Sequence, residues 1–131
     1  MRRLALIAVL LAQPAFAGPP DPVAGQDTFR TYCAVCHGLR ASGGGPMAEA
    51  LRVSPPDLTR LAAENGGIFP VLRVVRQIDG RDPMLAHGGD MPLYGEMFAY
   101  PDGAIFSETG QPIVTAQSIA DVAAWLATVQ Q

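Results

Sequence analysis

Both cysteines of this 131-residue chain, and one of its two histidines, fall within five residues: Cys33-Ala34-Val35-Cys36-His37. In a helix that spacing puts the two sulfurs one turn apart on the same side and carries the imidazole just behind them. Such a concentration of soft donors limits what can surround it. The rest of the chain offers only short helical patterns. Arg81 to Thr115 is rich in Gly, Pro and Asp and shows no sustained periodicity. A stretch of that length without structure of its own is unusual in a small domain unless it wraps something. Three or four short helices make a thin core for a chain of this size, so something besides side chains is expected to fill the centre.

The N-terminus reads differently from the remainder. "MRRLALIAVLLAQPAFA" begins with Arg2 and Arg3, runs apolar from Leu4 to Ala12, and ends on Ala15-Phe16-Ala17. A positive flank, a short apolar run and small residues at minus three and minus one form a secretory leader. A spanning helix needs roughly 20 apolar residues, and Gln13 and Pro14 interrupt this run well before that. The expected organisation is a cleaved leader over 1–17 and one domain over 18–131, exported to a bacterial periplasm with no membrane span after cleavage. Without Arg2 and Arg3 the chain has seven arginines against twelve carboxylates, a formal charge of −5, and it has no lysine. Nothing in that balance would neutralise phosphates, which excludes nucleic acid as a partner. An acidic surface suits encounter with a basic patch on another protein.

Along the mature chain, Asp21-Pro22 supplies an oxygen-bearing cap followed by proline at the first helical position. The helix it starts is expected to run into the cysteine motif. "GLRASGGGPM" is a glycine-rich loop that lacks the Lys-Ser/Thr of a phosphate-binding loop, and a short turn is expected over Met47–Leu51. Asp57 caps a short helix that stops at Asn65-Gly66. Pro70 starts another, with Val71, Leu72, Val75 and Ile78 inward and Arg73 and Arg76 outward, ended by Gly80. Thr115 is the expected cap of a final helix presenting Ile119, Val122, Leu126 and Val129 on one face, with Trp125 at its flank. No segment alternates cleanly enough to be read as a strand.

Cys-x-x-Cys-His is the attachment pattern of c-type haem. Two thiols add across the porphyrin's vinyl groups, and the following histidine binds the iron from the proximal side. A structural disulfide would explain the cysteines but not His37. A thiol redox site of this spacing normally sits beside a βαβ unit, and none is readable here. Zinc would have to recruit Cys33, Cys36, His37 and His87, although structural zinc usually draws on two separated pairs. For the sixth ligand, Met47 lies too close in sequence to cross the ring. Met91, within "GGDMPLYG", is favoured: glycines before it allow close approach, and Pro92 and Gly95 stiffen the loop. Met97, Met84 and His87 remain alternatives.

These motifs bring out a resemblance. "CAVCHG", "GGGPMAEAL", "PPDLT", "GGIFP", "IDGR" and "MPLYG" occur in the order seen in bacterial class I c-type cytochromes, and the similarity covers Asp21–Gln131. It implies an all-α cytochrome c fold, three to five short helices and long loops around one covalent haem c. It also implies thioether bonds at Cys33 and Cys36 and axial ligation by His37 and Met91. The carbonyl of Pro46 would accept a hydrogen bond from His37, and Gly25 and Phe29 would cross the last helix near Trp125. Leu58, Leu72, Val75 and Tyr94 are expected in the haem wall, and Arg81 is a candidate partner for a propionate. The implied activity is not enzymatic: a periplasmic one-electron carrier between other redox proteins. A haem enzyme subunit or a sensor with a displaceable ligand is the alternative. The missing lysines set the chain apart from the lysine-ringed mitochondrial type, and the segment 98–114 is longer than in compact members.

Overall fold

The computed structural model describes residues 18–81, 91–92, 94–95, 97–98 and 101–131. The leader expected over 1–17, and Met84 and His87, lie outside the described residues. Helix α1 spans Pro22–Tyr32, and Asp21 caps it as expected, its carboxylate accepting the Val23 N–H at 2.8 Å. The chain turns at Cys33 into α2, Ala34–His37, so the motif forms a separate short helix rather than continuing α1. Three 3₁₀ turns follow, Ala48–Ala50, Leu58–Arg60 and Ala63–Asn65. Asp57 caps the second by accepting the Thr59 N–H and hydroxyl at 2.9 and 2.6 Å. Helix α3 spans Val71–Asp79 and ends, as its sequence indicates, on Gly80 in the left-handed region. Helix α4 covers Gln117–Thr128.

The frame is the crossing of α1 and α4. Gly25 makes it possible: a Cβ there would lie 2.0 Å from the Asp121 carbonyl oxygen, so only a bare Cα lets the two backbones touch. One turn further on, Phe29 packs against Trp125 with ring centroids 4.5 Å apart. Ile119, Val122, Trp125 and Leu126 are all buried, as are Val74, Val75 and Ile78 of α3. Trp125 is therefore core rather than flank. Asp121 is buried at the same crossing, and its Oδ1 accepts from the Asp21 N–H and the Gln117 side-chain amide, both at 2.7 Å. A buried carboxylate held this way ties the start of α1 to α4.

Two further features depart from the sequence reading. Strands β1, Gly103–Phe106, and β2, Pro112–Thr115, form an antiparallel hairpin pairing Gly103 with Thr115 and Phe106 with Pro112. The fold is mainly helical with this small sheet added. The strands carry no alternating signature in the sequence because their outward residues are also apolar: Phe106 is 68% and Val114 50% exposed, so no polar alternation marks them. Thr115 does not cap α4. Ala116 holds that position, and Asp102, from before the hairpin, accepts the Gln117 N–H at 2.9 Å. The free N–H at the helix start is satisfied across fifteen residues of chain, which no local pattern reports.

Candidate haem site

Helix α2 is only four residues long, so its last carbonyls have no partner within the helix. The glycine-rich loop supplies them. Gly43, Gly45 and Met47 donate to the carbonyls of His37, Cys36 and Val35 at 2.9, 3.0 and 2.9 Å. That is the role of "SGGGPM": its backbone amides hold the motif helix in place.

Cys33, His37 and Met91 line one apolar cavity, whose other walls are Phe29, Leu58, Val74, Gln77, Ile78, Val122 and Leu126. Cys36 is half-buried beside Cys33. Burial, and then the neighbouring Cys36, push the Cys33 thiol up to about 11. Burial, and then the same two thiols, raise the Tyr94 phenol above its ordinary value. Its hydroxyl donates to the Tyr32 carbonyl at 3.2 Å, and its ring stacks on Phe98. Burial lowers the His37 pKa, and the Pro56 carbonyl, as an acceptor for the ring N–H, opposes it. The ring is thus kept neutral, with a lone pair available for a metal. Nδ1 of His37 is buried without a hydrogen-bond partner, with the Pro56 carbonyl nearby on the side of the ring.

Of the expected wall residues, Leu58 lines the cavity and Tyr94 borders the cysteines. Leu72 and Val75 do not line it: Val75 is fully buried and Leu72 half-buried in the core. At 3.6 residues per turn, Val74, Gln77 and Ile78 fall along one edge of the α3 arc and Leu72 and Val75 along the other, and the first edge faces the cavity. Phe29, Val122 and Leu126 were legible as core residues, but their second role as cavity wall was not. Pro46 is exposed, and the carbonyl turned toward His37 belongs to Pro56. The amides flanking Pro46 are drawn to the α2 carbonyls, and the Leu58 N–H bonds the Ala41 carbonyl at 2.8 Å, bringing the Pro55-Pro56 segment against the motif. Arg81 pairs with Asp79 instead of standing free for a propionate. Met47 and Met97 are about half exposed and are absent from the cavity lining.

The donor set suits haem: two free thiols, a neutral buried imidazole with an unpartnered nitrogen, and a thioether among aliphatic walls. The space among these described residues is about 60 Å³. A larger depression of about 700 Å³ is lined by Arg30, Arg40 and the 42–46 loop and includes none of Cys33, Cys36, His37 and Met91. His87, which a zinc site would need, lies outside the described residues. Among those described, the cysteines are unpaired, no cluster of three metal-ligating side chains forms, and the hairpin is no βαβ unit.

Comparison with known proteins agrees. The family described as Cytochrome c matches residues 22–130. A cytochrome c55X from Paracoccus denitrificans (strain Pd 1222) is 56% identical over 48 residues, 34% of this chain and 46% of that relative. The match thus spans about half of the relative's length. No solved structure matches. Among the described residues no helix is long and apolar enough to cross a membrane. With its Cys-x-x-Cys-His motif and a family match running nearly from end to end of the described chain, this protein belongs to the cytochrome c family and carries a covalently bound c-type haem.

Proposed function

We propose that the protein is a periplasmic one-electron carrier whose haem is attached through Cys33 and Cys36 and ligated by His37 and Met91. The observation that carries this reading is the meeting of Cys33, His37 and Met91, from segments more than fifty residues apart, on one apolar cavity. When bound, the haem supplies a reversible Fe(III)/Fe(II) couple. The chain's residues do the rest. Burial favours the neutral form of His37, and the glycine loop, by satisfying the carbonyls of α2, fixes the helix that carries it. The Pro56 carbonyl faces its ring, the arrangement by which an outer acceptor orients an imidazole ligand and raises its basicity. A thioether from Met91 favours the reduced metal and raises the potential. Phe29, Leu58, Val74, Ile78, Val122 and Leu126 keep water away and leave little to reorganise when the charge changes. The acidic mature chain is steered toward basic patches on its donor and acceptor. The leader over 1–17 delivers it to the compartment where the haem is attached.

The test is expression with haem-attachment machinery, followed by intact mass and spectroscopy of the periplasmic fraction. The expected product starts near Gly18, carries one haem, and shows in its ferric form the weak red charge-transfer band of methionine ligation. Met91→Ala removes that band and lowers the potential. A colourless protein would refute the carrier; survival of the band in Met91→Ala would refute the ligand.

A further inference from the structure

The hairpin and Arg81 have no part in the function proposed above, yet the structure joins them. The Asp79 side chain, at the end of α3, is 6% exposed. It accepts the Arg81 N–H at 3.0 Å and the Arg81 Nε–H at 2.6 Å, with Arg81 Nη2 against its second oxygen as well. Nη2 also donates to the Val114 carbonyl in β2 at 2.7 Å, and the Thr115 hydroxyl reaches Asp79 at 3.4 Å. The same end of α3 holds the segment that follows Met91. The Tyr94 N–H donates to the Ile78 carbonyl at 2.8 Å. Gly95 presses so closely on the Asp79 backbone that a Cβ would lie 2.2 Å from its carbonyl oxygen. Phe98, whose N–H bonds the Tyr94 carbonyl, closes the segment against Tyr32 edge-on.

We infer that Asp79 and Arg81 form a positioning clamp for the sixth ligand, with the hairpin as its outer support. Resting on the reading of Met91 as that ligand, the argument is geometric. Met91 stands three residues before Tyr94, and a loop pinned at Tyr94 and Gly95 has little freedom to withdraw its thioether. The pin is only as firm as the last turn of α3. A buried carboxylate at that turn is stable only while its hydrogen bonds are made, and Arg81 makes most of them while bracing itself on β2. The hairpin thus stiffens the bond to iron without touching the haem site.

The test uses the holoprotein and reads ligand exchange. Arg81→Ala and, independently, Gly95→Ala are compared with wild type for the rate at which added imidazole displaces the methionine, for the red charge-transfer band and for the midpoint potential. Both variants are expected to keep full covalent haem, to exchange faster by roughly tenfold, the scale of losing a buried charge-assisted contact, and to have a lowered potential. If Arg81→Ala does not accumulate, Arg81→Lys serves in its place, since it keeps the charge but loses the fork that spans Asp79 and Val114. Arg73→Ala, on the exposed side of α3, leaves exchange unchanged. Folded, fully loaded Arg81 and Gly95 variants with wild-type exchange would overturn the clamp. A red band that persists in Met91→Ala would instead remove the ligand reading on which it rests.

Discussion

Replacing Gly25 by alanine tests whether the α1–α4 crossing carries the fold. The new Cβ would stand 2.0 Å from the Asp121 carbonyl oxygen, 2.3 Å from its carbon and 2.8 Å from the Val122 nitrogen, where ordinary contact begins near 3.4 Å. All three are backbone atoms of a buried helix, so no rotamer change relieves the clash, and the helices must move apart by about 1 Å. A gap of that order forfeits a quarter to a half of the dispersion energy of the contacts it opens. Here those contacts include Phe29 on Trp125. Overpacking of this kind costs about 1–3 kcal/mol, occasionally more. Alanine's better helix propensity returns less than about 1 kcal/mol, and the backbone nature of the clash puts the cost at the upper end. The expected net loss is about 2 kcal/mol, or on the order of 8 °C in Tm for a domain of this size. Guanidinium and thermal unfolding of the holoprotein, followed by far-ultraviolet circular dichroism and haem absorbance, measure it. Val23→Ala, on the same helix at a position 71% exposed, should stay within about 0.5 kcal/mol of wild type. A Gly25→Ala protein with wild-type midpoints would show that the crossing tolerates separation and refute the reasoning.

Other outcomes follow from single contacts. Trp125→Ala empties a buried site against Phe29 and should cost about 3–5 kcal/mol, read by the same unfolding curves. The Asp57 carboxyl is held below its ordinary value of 3.8 by the Thr59 hydroxyl and N–H. Because its folded pKa is depressed, its contribution is complete above that ordinary value and is lost as pH falls through the folded one. Urea midpoints should therefore drop more between neutral pH and about pH 3 in wild type than in Asp57→Ala, and an equal drop in both would count against the cap.

The parts of the fold legible in the sequence were those with short-range causes. Asp21-Pro22 starts α1, Asp57 caps its turn and Gly80 ends α3, because each acts on backbone groups within a few residues. The hairpin was not legible, since its outward faces carry Phe106 and Val114 where polar residues would have marked a strand. Nor was the true cap of α4, which comes from Asp102 in place of the adjacent Thr115. Within the site, Leu58 lines the cavity and Tyr94 bonds the Tyr32 carbonyl just before the motif, whereas Leu72 and Val75 lie on the other edge of an apolar arc that serves both core and cavity, a distinction no sequence pattern reports.

What the sequence by itself determined was the chemistry of attachment. Cys33, Cys36 and His37 lie within one turn, and covalent spacing alone presents two sulfurs and an imidazole together whatever surrounds them. Only the tertiary structure decided that the Pro56 carbonyl, not that of Pro46, faces the imidazole, that Val74, Gln77 and Ile78 meet the cavity, and that Arg81 braces Asp79 against the hairpin. Each of those choices is between groups of the same kind, a carbonyl, an aliphatic face or a charge. Equivalent groups are told apart only when the chain closes and one of them is buried against its partner while the other is left in water.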